Sequence, residues 1–438
     1  MLGVCRQLSQ AGHQAHLVGG GIRDLLLGRQ PADFDVATNA LPDVVLKLFG
    51  SRYAIPTGLQ HGTITVLAGT PVRHVEVTTF RGEGEYLDGR RPSTVSFSAT
   101  LIEDLARRDF TMNAIAFDPL SNTITDPFDG QGALCAKLVK AVGDPIRRFT
   151  EDGLRPMRAV RQATQLGFSI DPQTLASITV TLASFRMVSA ERIRDEIFKM
   201  FKASMPSFGI RLMQQTKLLE EVFPELLSCV GLAAKDGSNI DVFEHSLAVL
   251  DALPPRPMLR LAGLWHDVAK PLGSVDHAAK GAEMAARMSE RLRLSVAERR
   301  LLCDLVSTHE FRYAPTDSDA ALRRLLRGFL GTSAGIDDIL ALHLANRGAY
   351  NNSIVRELSV AFCERIHTIL ATHPPLRSGD LAIDGKRLMQ VLGLSPGRQV
   401  GILLSTLLDY VVDEPEGNTE ESLLAFARTV LAKSANPI

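Results

Sequence analysis

Leu17-Val-Gly-Gly-Gly-Ile-Arg-Asp-Leu-Leu-Leu-Gly-Arg-Gln-Pro-Ala-Asp-Phe-Asp-Val36 is the stretch whose reading decides the fold. His16–Val18 reads as a buried strand. Gly19, Gly20 and Gly21 follow it, then a helical pattern from Ile22 to Leu27 closed by Gly28, and Asp33-Phe34-Asp35 returns the chain into a second strand. Glycines placed after a strand and before a helix let backbone N–H groups approach a phosphate closely. Aspartates at i and i+2 on a strand project from one face. Carboxylates paired in this way bind hard divalent cations such as Mg²⁺ alongside phosphate oxygens. A Gly-rich turn alone is an ordinary connector, and a lone Asp-x-Asp is usually a solvated turn. Both within residues 19–35 imply metal-assisted nucleotidyl transfer.

Working outward, the 438 residues exceed one ordinary core and predict two to four domains. A hydrophobic fraction of 45% and a charged fraction of 22% are those of a soluble globular chain. No apolar run approaches the roughly 18 residues of a membrane span. The first residues lack a basic segment followed by an apolar core, so no signal peptide is expected. Cys5, Cys135, Cys229, Cys303 and Cys363 are scattered and form no C-x-x-C, which predicts a reducing, cytoplasmic setting without disulfides or a zinc knuckle. A net charge of −1 does not advertise a nucleic-acid binder; basic residues would have to be concentrated on one face.

Beyond Val36, a helix is expected from about Thr38 to Gly50. Gly62–Leu67 and His74–Thr79 alternate with β-branched residues and read as strands. Glu76 lies mid-strand, either exposed on an edge or as a third acidic group beside Asp33 and Asp35. Arg81–Thr94, with its glycines and charges, has no period and reads as a mobile loop. In Arg107-Arg-Asp-Phe-Thr-Met-Asn113, Arg108, Asp109 and Asn113 supply charge and hydrogen-bonding groups for a nucleotide, or else Asp109 caps a helix. Gly130 and Gly132, in Asp126–Leu134, read as a hinge or as an ordinary turn.

From about residue 145 the pattern is helical. In Glu151-Asp-Gly-Leu-Arg-Pro-Met-Arg-Ala-Val-Arg161, Asp152, Arg155, Arg158 and Arg161 recur every three residues and predict a slowly turning stripe along one helix. The plain alternative is a surface ion pair worth about 0.2–0.5 kcal/mol. Pro156 places the helix start near Leu154 or kinks the helix. Val188–Phe201 reads as a Ser-capped amphipathic helix carrying Glu191, Arg192 and Glu196 in structural roles.

These stretches together resemble the class II tRNA nucleotidyltransferases and bacterial poly(A) polymerases of the polymerase-β-like superfamily. The resemblance implies that Asp33 and Asp35 hold the catalytic Mg²⁺ ions, with Glu76 a candidate third acidic group. It implies that Gly20 and Arg23 contact the triphosphate, that Arg108 touches nucleotide phosphate and that Asp109 lies near the ribose. The family motif Glu-Asp-x-x-Arg is intact, which assigns Asp152 and Arg155 to the Watson–Crick edge of CTP or ATP, with Arg158 and Arg161 nearby. A carboxylate accepts from an exocyclic amino group, which C and A carry and U and G replace with a carbonyl. The loop at 81–94 is implied to serve addition of the final A.

A second pattern follows. Glu244-His245-Ser-Leu precedes a helix ending in Trp265-His266-Asp267-Val-Ala-Lys270-Pro, and His277 and His309 add imidazoles suited to transition metals. The pattern resembles an HD domain, a metal-dependent phosphohydrolase fold, and implies a second divalent metal at His245, His266, Asp267, His277 and His309. Where such domains close the site with a late Asp, Leu342-His-Leu-Ala-Asn346 offers a neutral Asn.

The expected fold is α+β. A mixed-sheet nucleotidyltransferase head (1–140) precedes a helical neck for base recognition (141–205), a helical HD-type body (206–350) and a helical, tRNA-binding tail (351–438). The expected activity is template-independent addition of CCA, or its terminal A, to the acceptor end of tRNA from CTP and ATP with two Mg²⁺ ions. A dedicated A-adding enzyme, a poly(A) polymerase and an HD phosphohydrolase are the alternatives. Oligomeric state is not legible.

Overall fold

A computed structural model describes all residues except 32, 60–61, 70–72, 83–99, 234–239, 274, 351 and 436–438. Most of the loop at 81–94 therefore lies outside the described residues. Contacts divide the chain into two units, Met1–Pro224 and Glu225–Ile438.

The first unit opens with α1 (Leu2–Gln10), β1 (Ala15–Val18), α2 (Gly20–Leu26), β2 (Phe34–Thr38), α3 (Pro42–Phe49), β3 (Ala54–Gly58), β4 (Thr63–Ala68) and β5 (Arg73–Thr79). After α4 (Leu101–Ala106) come β6 (Ala116–Asp118), β7 (Thr123–Thr125) and α5 (Gly130–Cys135). The seven strands form one mixed sheet in the order β3-β4-β5-β2-β1-β6-β7. β2 and β5 run parallel; the other neighbours are antiparallel. Along β5, Val75 and Val77 are buried while His74 and Glu76 are exposed, the alternation expected of a strand with one covered face. Because β5 lies between β4 and β2, Glu76 is not on an edge. Its register partner on β2 is Asp35, so the two carboxylates stand side by side on one face. Beneath the sheet, Val18, Ala37, Phe80, Leu105, Ala114, Ala116 and Val142 form a core cluster. Burying a side chain such as Phe80 contributes about 1.5–3 kcal/mol.

The Asp126–Leu134 segment is closely packed. A Cβ at Gly130 would come within 2.3 Å of the Thr111 carbonyl and 2.7 Å of Ile115, so glycine serves close packing there. The Asp126 carboxylate accepts from Gly130 N at 2.7 Å and Gln131 N at 2.8 Å, fixing the turn.

Helices then dominate: α6 (Pro145–Glu151), α7 (Arg155–Leu166), α8 (Pro172–Val180), α9 (Leu182–Phe185), α10 (Ala190–Met200), α11 (Pro206–Gln215) and α12 (Leu218–Val222). One short parallel pair, β8 (Leu138–Val139) with β9 (Ser169–Ile170), interrupts them. Pro156 falls in the first turn of α7, where its missing N–H has no intrahelical partner to lose. Starting α7 at Arg155 corrects the expected single stripe. Arg155, Arg158 and Arg161 share that helix, but Asp152 is the extended residue that ends α6 (φ −139°, ψ 103°).

In the second unit the elements are helical: α13 (Val242–Ala252), α14 (Pro257–Trp265), α15 (His277–Arg291), α16 (Val296–Thr308), α17 (Asp319–Leu330), α18 (Ile336–Gly348), α19 (Ser353–Ala371), α20 (Gly385–Leu392), α21 (Arg398–Asp413) and α22 (Glu420–Ala435). α13, α14, α16 and α18 pack on one another, with Trp265 fully buried on α14. Among the described residues no helix is long and apolar enough to cross a membrane.

Candidate active site and metal cluster

A cavity of about 410 Å³ opens in the first unit. Its walls carry Gly19, Gly20, Arg23 and Asp35 from the β1–α2–β2 segment, Arg107, Arg108, Asp109 and Asn113 after α4, and Asp152, Arg155, Arg158, Arg161 and Gln162 around α7. Gly19 has φ 73°, and a Cβ there would lie 2.9 Å from Asp35 Oδ2 and 3.4 Å from an Arg108 nitrogen. A side chain at Gly19 would fill the gap between carboxylate and guanidinium.

Each of the six arginines is held by a carboxylate. Arg23 pairs with Asp24 at 2.7 Å. Arg107 and Arg108 share buried Asp104, at 2.6 and 3.1 Å. Arg155 pairs with Glu151 at 3.0 Å, Arg158 with Asp109 at 2.6 Å, and Arg161 with buried Glu196. Asp109 accepts from Arg158 Nε and Nη2, from Asn113 Nδ2 and from Phe110 N. Burial alone would raise its pKa, but the Arg158 charge and these donors bring it down to about 2. It caps no helix: the turn at Thr111–Asn113 starts from Phe110.

Asp152 and Arg155 meet in the cavity with other partners already engaged. The two Asp152 oxygens accept from Arg192 Nη2 at 3.1 and 3.0 Å, so α10 aims this carboxylate. Arg155 donates to the carbonyls of Arg148 and Arg107 and to Glu151, which uses three of the five N–H groups of a guanidinium. The ion pair of the plain reading is thus Glu151–Arg155, not Asp152–Arg155.

Gln162 was not singled out by sequence. Its Oε1 accepts from Asn113 Nδ2 at 3.0 Å and Arg23 Nη1 at 3.3 Å, tying α2 to α7. The available signal was its position one turn after Arg158 on the same helix.

The acidic group gathers less tightly. Asp35 lines the cavity; Asp33 and Glu76, both exposed, do not. Asp35 is half-buried. Burial raises its pKa, and the charges of Glu76 and Asp33 raise it further against the opposing pull of Arg108. Among the described residues, the sets of three that bring a ligand atom each within 4.8 Å of one another lie in the second unit.

There, all five residues read from the sequence converge. His245 sits on α13, His266 at the C-terminal end of α14 with Asp267 next, His277 at the first position of α15, and His309 at the end of α16. His277 Nε2 is 3.3 Å from Asp267 Oδ1, His309 Nε2 is 3.5 Å from the same oxygen, and His266 Nε2 is 3.1 Å from Oδ2. Burial lowers the pKa of His245 to about 4, so that ring is neutral at physiological pH, and it lowers that of His309 below its usual value. Asn346, on α18, contacts His245 Nε2 at 3.0 Å, which puts it at the cluster, as the resemblance to an HD domain implied.

Comparison with known proteins finds family matches in both units. Residues 15–140 match the family described as "Poly A polymerase head domain", 167–229 the "Probable RNA and SrmB- binding site of polymerase A", and 242–327 the "HD domain". A CCA-adding enzyme of Geobacillus sp. is 47% identical over 217 residues, 50% of this chain and 52% of that protein, so this match spans about half the length of that relative. The CCA-adding enzyme of Lactobacillus johnsonii is 33% identical over 425 residues, 97% of this chain and 96% of that protein. The solved structure of the Bacillus stearothermophilus CCA-adding enzyme in complex with CTP is 28% identical, with a TM-score of 0.75 over 99% of this chain and 97% of that one. The Thermotoga maritima CCA-adding enzyme complexed with tRNA shares the fold, with a TM-score of 0.60 at 19% identity. With a relative one-third identical along almost its entire length, the chain belongs to the family of CCA-adding enzymes.

Proposed function

We propose that this chain completes tRNA 3′ ends by adding C, C and A from CTP and ATP with release of pyrophosphate. The observation that carries this reading is the one cavity in which the Gly19–Gly20 turn, Asp35, six anchored arginines and Asp152 face a common space. Family membership and the likeness to a CTP-bound relative support it.

In this reading Gly20, Arg23 and Arg108 take the triphosphate. Asp109 fixes Arg158, and Glu196 fixes Arg161, so that both guanidinium groups wait in place for the nucleotide. Asp152 keeps lone pairs for the exocyclic amino group of C or A. The two remaining N–H groups of Arg155 serve a ring nitrogen or carbonyl. The crowded carboxylates fit a hard dication: Asp35 stands in register beside Glu76, and burial first, then the like charges of Glu76 and Asp33, raise its pKa against the pull of Arg108. Asp33 and Asp35, with Glu76 beside them, would hold Mg²⁺, which would supply positive charge at the α-phosphate and lower the pKa of the 3′-hydroxyl. Positioning and electrostatics carry the catalysis, and no protein nucleophile is needed.

The four-part division into head, neck, body and tail, with tRNA along the tail, belongs to the same reading, as does a cytoplasmic setting. The five-residue cluster of the second unit is a second divalent-metal centre.

Three tRNA transcripts, ending before the first C, after CC, and complete, test the activity with CTP, ATP and Mg²⁺. Extension of both incomplete transcripts to CCA is the expected result. Extension of the CC transcript alone gives a dedicated A-adding enzyme, and long A tails give a poly(A) polymerase. No extension refutes nucleotidyl transfer.

A further inference from the structure

We infer that Gln162 is a nucleotide-binding residue whose amide grips the polyphosphate end of the incoming nucleotide: Oε1 fixes Arg23, and Nε2 donates to a phosphate oxygen beside it. The inference rests on the reading that Arg23 takes the triphosphate, and adds to that site an uncharged residue of α7.

The chemistry of the neighbours settles which way the amide faces. Asp109, its pKa brought down to about 2, is ionised and only accepts. Asn113 therefore presents Nδ2 to Asp109 Oδ1 at 3.1 Å, which leaves its own Oδ1 to accept from Arg23 Nη1 at 3.2 Å. Gln162 thus meets two groups that only donate, Asn113 Nδ2 at 3.0 Å and Arg23 Nη1 at 3.3 Å, and its Oε1 accepts from both. The Nε2 end of the same planar amide is turned away from this pair, on a buried side chain that lines the cavity. Among the described residues Nε2 has no acceptor. A buried N–H without an acceptor is costly, and a ligand oxygen in the cavity completes it.

The place of Gln162 along α7 says which part of the ligand it meets. From Arg155 to Gln162 is seven positions, two turns and about 10 Å along one face of the helix. Arg155 is read as a base contact, so Gln162 stands at the far end of the nucleotide. Arg23 is there too, beside the glycine turn: a Cβ at Gly20 would lie 3.5 Å from its Nη2. Asp24 holds the guanidinium through Nε at 2.8 Å and Nη2 at 2.7 Å, while Asn113 and Gln162 hold Nη1. A carboxylate in place of Gln162 would grip Arg23 equally well but repel phosphate. The amide gives the same hold without negative charge, and adds a donor.

The test is steady-state extension, by the full chain with Mg²⁺, of transcripts ending before the first C and after CC. Gln162→Met keeps the length of the side chain and removes both polar ends; Gln162→Glu keeps the acceptor and replaces the donor with charge. Circular dichroism with thermal unfolding checks that each folds. In both variants KM for CTP and ATP should rise alike by about tenfold, roughly one hydrogen bond to a charged group, with kcat within about threefold and selection against UTP unchanged. Pyrophosphate and CMP, used as inhibitors, divide the ligand: inhibition by pyrophosphate should weaken as KM rises, and inhibition by CMP should not. Loss of a merely structural amide would disturb Arg155 and Arg158 on the same helix, and so move CMP inhibition and UTP selection as well. That result overturns the inference, as does an unchanged KM in either variant. If pyrophosphate does not inhibit the parent, the triphosphate reading of Arg23 falls together with this inference. Pyrophosphate inhibition that is present in the parent and undiminished in the variants overturns the assignment of Gln162 alone.

Discussion

Replacing Asp109 with asparagine loosens α7 from the sheet-bearing half of its unit, and the size of the effect follows from one carboxylate. Asp109 is 8% exposed and accepts four hydrogen bonds, two from Arg158 on α7. Its pKa falls from 3.8 to about 2 in the folded chain. That difference of nearly two units is about 2.5 kcal/mol, close to sixtyfold in an equilibrium constant. A depressed carboxylate stabilises above its unfolded pKa. The contribution is therefore complete above about pH 5 and is lost as pH falls from about 4 towards 2. Amide hydrogen exchange read by mass spectrometry gives the local value that whole-chain melting of two units would blur. At pH 7, peptides across residues 155–166 should exchange about sixtyfold faster in Asp109→Asn than in the parent, while peptides across Val242–Ala252, in the other unit, stay unchanged. At pH 3, after correction for intrinsic exchange rates, the gap should shrink. Equal protection of α7 in the two proteins at pH 7, or a gap as wide at pH 3 as at pH 7, would refute the argument.

Asp35→Asn should lower kcat for CTP addition by at least about a hundredfold while nucleotide still binds, as measured by single-turnover extension beside filter binding. EDTA should stop addition in the parent, and excess Mg²⁺ should restore it. Arg23→Ala should raise KM for CTP and ATP alike by roughly tenfold to a hundredfold, the value of a charged hydrogen bond to phosphate, in steady-state extension assays. Asp152→Ala should erode discrimination against UTP and GTP in competition assays. Arg192→Leu should do so more weakly, because it only aims that carboxylate.

Much of this architecture was legible because its signals are local. The Gly19–Gly21 run between a strand and a helix, the β-branched alternation at 63–79 and the His266-Asp267 pair each encode their own geometry, and the structure has a strand, a helix or a helix end at each. Asn346 was legible only through the resemblance: HD domains close their site with a late Asp, and the Asn found at that place contacts His245. What escaped depends on partners distant in sequence. Asp152 was read onto α7 because Asp152, Arg155 and Arg158 share a three-residue spacing; the proline two residues into the helix is what sets its start past Asp152. The close packing of Gly130 was hidden for a related reason. Glycine signals either freedom or close contact, and only the Thr111 carbonyl, reached through a different segment, decides which. Gln162 carries no motif at all, and its role exists only through Asn113 and Arg23, 49 and 139 positions away.

The same distance in sequence explains how a chain of net charge −1 builds a site for a polyanion. Six arginines around about 410 Å³ would repel one another, yet five carboxylates hold them, Arg107 and Arg108 sharing Asp104. Those carboxylates offset most of the positive charge while the cavity is empty, which keeps the fold from straining. They also fix each guanidinium in one orientation, so that a triphosphate meets donors already in place and little side-chain freedom remains to be lost on binding. An arginine has five N–H groups, and a single carboxylate engages at most two of them. Anchoring therefore orients the donors without exhausting them. In a chain whose overall charge gives no hint of its ligand, the binding potential comes from donors left over after each ion pair is made, and that surplus is set by the fold rather than by composition.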